Sequence, residues 1–268
     1  MTLLRGEIMG KLEGKIAVIT ASTRSIGRGI AEAYLAEGAK VVVSGRSEEK
    51  GKKALEEMGA GDNAVFIPCD ATKQTDVEGL IDKTVDHFGR VDIAVLNAGG
   101  ILNAAPVVDM TDESWNYTLN LNLNHTFWGM RKSLQHMIPQ EWGRIIAISS
   151  VEGKMKVETC SHYTATKHAI NGLVKTAAHE VGTTGVTVNA ILPGFVKTDL
   201  FYESAPQTAE ALGMDSLDEV ADMYSQASAI KKPNTVEQVA AAALMFARDE
   251  ARNLTACLFP VDGGTMPY

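Results

Sequence analysis

Tyr163 and Lys167 stand four residues apart in a stretch of helical spacing, so their side chains share one helix face. A phenol of pKa ~10 is a poor base at neutral pH. A neighbouring ammonium stabilises the phenolate, lowers that pKa and suits the group to proton transfer at oxygen. The pair alone is common on surface helices, so its weight comes from its company. Ser150 follows the apolar run Ile145–Ser149, where its hydroxyl can donate to a substrate oxygen; Ser149 is the alternative donor. Asn122 sits in a segment crowded with Asn116, Asn120 and Asn124. Asn is a mediocre helix former. Asn122 either satisfies a backbone group or, by disturbing the helix, holds a water that links Lys167 to solvent.

A second constellation could bind phosphate. An apolar run ending at Thr20 leads through Ala21-Ser22-Thr23-Arg24-Ser25-Ile26-Gly27 into a helical pattern. A small-residue turn between strand and helix lets a phosphate approach backbone N–H groups at the helix N-terminus. Thr20, Ser22, Arg24, Ser25, Ile26 and Gly27 are the expected contacts. The dinucleotide pattern GxGxxG is absent, and plain helix capping would give a similar turn. The next strand-like run ends Val43-Ser44-Gly45-Arg46, where an acid would bind ribose hydroxyls. Gly45 and Arg46 stand there instead. With Arg24 they favour a 2′-phosphate, hence NADP(H) over NAD(H); the alternative is two solvated surface arginines.

These residues need a scaffold. Strand-length apolar runs (Ile16–Thr20, Lys40–Ser44, Val65–Pro68, Val91–Leu96, Arg144–Ser149, Val186–Leu192, Cys257–Val261) alternate with helical spacing. The helical segments are Gly27–Gly38, Ser47–Met58, Thr75–Phe88, Asp112–Met137 and His162–Val181. Continuous apolar strands between helices predict an α/β fold with a doubly wound parallel sheet, Rossmann-like, in a single domain over residues 13–268 after a tail over 1–12. Gly194–Pro233 interrupts the rhythm and predicts a substrate lid at about 195–232 carrying short helices.

The 268 residues carry a net charge of −8 with no basic block, which argues against nucleic acid and anionic membrane as partners. No run reaches ~18 consecutive apolar residues, and no apolar leader opens the chain. Cys69, Cys160 and Cys257 are odd in number and far apart, which fits a reducing compartment and a cytoplasmic protein. The six histidines form no ligand motif, so no metal is expected.

Over Leu12–Gly264 the chain resembles the short-chain dehydrogenases/reductases. The matching pieces are Thr20–Gly27, Cys69-Asp70-Ala71, Leu96-Asn97-Ala98-Gly99, Trp115 with Asn122-Leu123, Ile148-Ser149-Ser150, Tyr163-x-x-x-Lys167, Pro193-Gly194-Phe195-Val196-Lys197-Thr198 and Val261-Asp262-Gly263-Gly264. The resemblance implies a homotetramer with an Asn122-Ser150-Tyr163-Lys167 tetrad. In it Tyr163 is the proton donor or acceptor, Ser150 polarises the carbonyl, Lys167 binds the nicotinamide ribose, and Asn122 anchors a relay water. It also implies that Asp70 and Ala71 meet adenine and that Asn97, Ala98 and Gly99 line the cofactor cleft. Val196 would reach the carboxamide through its backbone, and Pro193, Gly194 and Thr198 would contact the cofactor. Ala21 and Ser25 replace two glycines of the family turn, and Leu96 replaces an Asn. Ala21 costs little if its φ stays negative, whereas Ser25 faces a strained backbone or a reshaped turn.

The expected reaction is hydride transfer between nicotinamide and a secondary alcohol or ketone. Ile101, Leu102, Met155, Val157, Phe195, Leu200, Phe201, Tyr202, Leu212, Met214 and Met223 either face a bulky apolar substrate or simply pack the lid. The turn and lid look like those of bacterial hydroxysteroid dehydrogenases and polyketide-type ketoreductases, which favours an alicyclic substrate. The stretch from Thr166 to Phe195 also resembles 3-hydroxybutyrate dehydrogenases, for which Lys154, Lys156 or Lys197 would supply the cation. The alternative class is a cofactor-binding scaffold or redox sensor without turnover.

Overall fold

The structure is a computed structural model; it describes residues 10–266 except 200, 204, 205, 207, 208 and 210–212. The expected positions Leu200 and Leu212, and most of the proposed tail, lie outside the described residues. Leu12 is fully buried, and its N–H donates to Glu37 O at 2.8 Å.

Seven parallel strands form one sheet in the order β3-β2-β1-β4-β5-β6-β7. They are β1 Ile16–Ile19, β2 Lys40–Gly45, β3 Ala64–Pro68, β4 Ile93–Leu96, β5 Gly143–Ile148, β6 Val186–Pro193 and β7 Leu258–Val261. The central strands β1, β4, β5 and β6 are buried throughout. That is why they read as unbroken apolar runs rather than alternating ones. Alternate residues serve opposite faces. Ala17 and Ile19 pack with Ile30 and Tyr34 of α1 (Ser25–Ala36), while Val18 packs with Val77 and Leu80 of α3 (Gln74–Phe88). The helix α2 (Glu48–Met58) joins the α1 side through Leu55 and Met58.

The segment expected as one helix over Asp112–Met137 is interrupted. It consists of α4 (Asp112–Leu119), a π turn at Asn120–Asn124, and α5 (His125–Met137). The helix carrying Tyr163 and Lys167 is α6 (Ser161–Glu180). Later in the chain lie α7 (Leu217–Gln226) and α8 (Val236–Ala247). The sequence reading named no element at α8. Its signal was local: Thr235 caps Gln238 N–H while the Gln238 side chain accepts from Thr235 N–H, a reciprocal capping box. No helix among the described residues is long and apolar enough to cross a membrane.

The interruption after β6 is pinned at both ends. Val196 bridges to Asn234, and Phe195 O accepts from Asn234 N at 2.7 Å. Between these ends Phe201, Ala209, Val220 and Ala221 form their own small core with Phe195 and Met214.

Candidate active site

β1 has β2 on one side and β4 on the other, so the chain leaves in opposite directions after neighbouring strands and a crevice opens at their carboxyl ends. Two adjoining clefts occupy this edge, of about 300 and 260 Å³, and Ala21, Arg24 and Gly99 belong to both.

The floor is built by hydrogen bonds between strand ends. Thr20 Oγ1 accepts from the N–H groups of Asn97 at 2.8 Å and Ala98 at 3.0 Å. Asn97 Nδ2 donates to the carbonyls of Thr20 and Ala21 at 3.0 and 3.1 Å. Ser22 is buried, donates to Ile19 O at 2.7 Å and accepts from Ser44 N at 3.0 Å. Thr20 and Ser22, expected among the cofactor contacts, therefore hold the turn together from behind and line neither cleft.

The turn has a strained backbone. Ala21 and Ser25 have φ of 50° and 53°, in the left-handed region that favours glycine. The condition under which Ala21 would cost little, a negative φ, is not met; the turn keeps a glycine-like shape without those glycines. Gly27 cannot be replaced in the same way, because a Cβ there would lie 2.6 Å from Ala21 O and from Asn97 Nδ2. The N-terminus of α1 has no side-chain cap and no acid in its first turn, which leaves it open to an anion. Two acids reach it from after β6 instead. Ser25 Oγ donates to Asp199 Oδ2 at 2.7 Å, and Arg24 forms a two-pronged ion pair with Glu203.

In the first cleft the turn residues Arg24, Ser25, Ile26 and Gly27 meet Ser150, Tyr163 and Lys167. Asn97 and Gly99 close one side, and Pro193, Gly194, Val196 and Thr198 the other. In the second, Arg46, Asp70, Ala71 and Ala98 come together. Lys50 joins them from the first turn of α2, whose N-cap Ser47 accepts from its N–H at 3.2 Å. Sequence reasoning missed Lys50, although Ser47 with a helix pattern three residues on was a readable cap. Tyr117 and Leu121 also line this cleft; they arrive from α4 and the π turn, and nothing local announced them.

Ser149 is buried and donates to Lys167 O at 3.4 Å, whereas Ser150 is more open, caps the next turn and hydrogen-bonds Tyr163. Lys167 Nζ donates to Ile148 O at 2.9 Å and lies 5.1 Å from the centre of the Tyr163 ring. Burial lowers the Lys167 pKa to about 8, against the pull of Glu152. Burial also raises the Tyr163 pKa, and the Glu152 charge adds to the rise while the Ser150 bond opposes it. The expected net lowering by Lys167 is therefore corrected: desolvation, with the Glu152 charge, keeps the phenol protonated.

Asn122 faces neither cleft. Its Nδ2 donates to Gly100 O at 2.7 Å and Thr118 O at 2.8 Å, and its Oδ1 accepts from Gly100 N at 3.2 Å. Of the two readings the sequence left open, the backbone-satisfying one describes these contacts. The side chain still lies near Lys167, because a Cβ on Gly99 would fall 2.9 Å from Asn122 Oδ1 and 3.2 Å from Lys167 Nζ.

Residues 15–209 match the family described as short chain dehydrogenase. The chain belongs to the short-chain dehydrogenases. It is 35% identical to a 3beta-hydroxysteroid dehydrogenase of Mediterraneibacter gnavus, over 98% of this chain and 99% of that protein. It is 36% identical to a D-beta-hydroxybutyrate dehydrogenase of Rhizobium meliloti, over 93% and 98%. The crystal structure of a point variant of actinorhodin polyketide ketoreductase with NADPH superposes with a TM-score of 0.90 at 30% identity, covering 95% of this chain and 98% of that one.

Members of this family bind a nicotinamide cofactor, and these clefts fit one. An uncapped helix N-terminus, a glycine that admits no Cβ at the turn, and a second bare glycine between Asn122 and Lys167 make a continuous cradle. Leu96, where the short-chain dehydrogenases usually carry Asn, is buried with its Cδ2 against Gly129; apolar packing takes the place of a polar contact.

Proposed function

We propose that this short-chain dehydrogenase is an NADP(H)-dependent oxidoreductase that interconverts a secondary alcohol and a ketone, with a bulky alicyclic substrate of hydroxysteroid type. The observation that carries the reading is the meeting of Ser150, Tyr163 and Lys167 in the cleft that also holds the phosphate-type turn. When bound, the reduced nicotinamide supplies the hydride. Ser150 donates a hydrogen bond to the carbonyl oxygen. Tyr163, kept protonated by burial, gives its proton to that oxygen as the carbon is reduced. Lys167 would hold the nicotinamide ribose and restore the proton. The 2′-phosphate would be held by Arg46 with Lys50 beside it. Arg24 adds charge only when released from Glu203.

Tyr163→Phe tests the reading directly. NADPH oxidation with a cyclic ketone should fall by about 10²-fold or more in kcat/KM, since general acid catalysis contributes about 10²–10⁴. Undiminished turnover would sink the mechanism, and NADPH binding without turnover by the unaltered protein would favour a scaffold or sensor. Arg46→Asp should move the preference toward NADH by roughly tenfold or more.

A smaller 3-hydroxy acid is the second reading, supported by the similarity to the hydroxybutyrate dehydrogenase. We also infer a cytoplasmic homotetramer with one catalytic domain per chain and the segment 195–232 as its lid. The three free cysteines fit a reducing compartment.

A further inference from the structure

A carboxylate lies at the start of α6, two residues after Ser150 and outside both cleft linings. Val151–Gly153 is a single 3₁₀ turn, and Ser150 Oγ accepts from Glu152 N–H at 3.1 Å, which ties residue 152 to the catalytic serine. The Glu152 side chain reaches the start of α6, where Thr164 Oγ1 donates to its Oε2 at 3.2 Å. Thr164 directly follows Tyr163. The carboxylate is thereby held partly buried against the first turn of α6; burial raises its pKa, the Thr164 bond and the Lys167 charge oppose that rise, and in its ionised form it acts on both Tyr163 and Lys167.

A substrate carboxylate entering this region would need a free cation. Lys156 is paired with Glu158 at 3.2 Å and Lys197 with Asp218 at 3.5 Å. Lys154, at the end of the same turn as Glu152, has interactions of its own. Lys167 is turned to the Ile148 carbonyl. The charge added at the start of α6 is therefore negative. At an effective dielectric of about 20, a like charge about 8 Å away shifts an equilibrium by roughly tenfold or more.

We propose that Glu152 is a specificity-determining residue that excludes anionic substrates and selects uncharged ketones and secondary alcohols. The inference rests on the oxidoreductase reading of the same cleft, and it decides between the two substrate classes named there. The test uses two nearly isosteric pairs that differ in charge: 4-oxocyclohexanecarboxamide against 4-oxocyclohexanecarboxylate, and acetoacetamide against acetoacetate. kcat/KM is measured for each with saturating NADPH. The unaltered protein should prefer the amide in each pair by tenfold or more. Glu152→Gln keeps the size and the acceptor for Thr164 but removes the charge, and should narrow that ratio at least fivefold. Glu152→Ala should narrow it as well, and thermal unfolding of both variants checks that they fold. An unaltered protein that takes the acids as readily as the amides overturns the proposal, as does an amide preference that survives in both variants. Turnover of no member of either pair sinks the enzymatic reading and this inference with it, whereas turnover with an unmoved ratio sinks only the inference.

Discussion

Two buried bases with opposite roles set the pH behaviour of the site. Burial brings Lys167 down to about 8, so its ammonium is lost as pH rises through that value. Ketone reduction should therefore fall with one ionisation near pH 8, by about tenfold per unit beyond it, in a pH profile of kcat/KM. His125 is fully buried, and its Nε2 lies 3.0 Å from Thr20 Oγ1, which makes it part of the floor under the turn. Burial, helped by the Lys167 charge, holds its pKa at about 3 instead of 6.5. Between those values the unfolded chain takes up a proton that the native state refuses. Stability should thus decline as pH falls through this window, by at most ~1.4 kcal/mol per unit. Urea unfolding at pH 7 and pH 5 should show a smaller acid loss for His125→Gln than for the unaltered protein. Gly99→Ala should cost about tenfold or more in kcat/KM, because its Cβ meets Asn122 Oδ1 and Lys167 Nζ inside normal contact distance. The Tyr163-x-x-x-Lys167 pair was legible because helix geometry alone puts both on one face. The direction of the tyrosine shift was not, because desolvation depends on everything packed around the ring.

At the scale of elements, the π turn and the segment after β6 carry the departures from the sequence reading. Four asparagines in nine residues marked the place where a regular helix fails, and the Asn122 side chain takes up the Thr118 carbonyl within the irregular stretch. The same side chain holds Gly100, so the irregularity fixes the loop beside the cleft. After β6, the aromatic residues read as candidates for substrate contact are divided. Phe195 packs edge-on against Phe201 and tilted against Tyr224, at 5.0 and 5.2 Å between ring centres, while Tyr202 and Met223 remain exposed. Asp199 and Glu203 place two carboxylates on the donors that would meet phosphate. Glu203→Gln should therefore tighten NADPH binding by up to about fivefold in a fluorescence titration, the range expected for an exposed ion pair of ~0–1 kcal/mol. Unchanged or weaker binding would mean that the pair does not compete with the cofactor.

At the scale of the molecule, the alternation of apolar runs and helical spacing called for a parallel sheet with helices on both faces, and the seven-stranded order follows that pattern. The two long helical segments that could pair across a two-fold axis in such a tetramer are α6 and the broken α4–α5 segment. Light scattering should report a mass near four times 28.7 kDa if the tetramer forms.

The amino-acid order alone determined the strands and the residue types able to move a proton and cradle a phosphate. Those features depend on periodicity and short spacing, which the chain carries locally. The tertiary structure decided which of them face the cleft. It turned Thr20, Ser22 and Asn122 to backbone partners, brought Lys50 and Tyr117 to the cofactor side, and set Glu152 against the start of α6. Burial, strain and charge at a site are sums over neighbours far apart along the chain, and only folding brings those neighbours together.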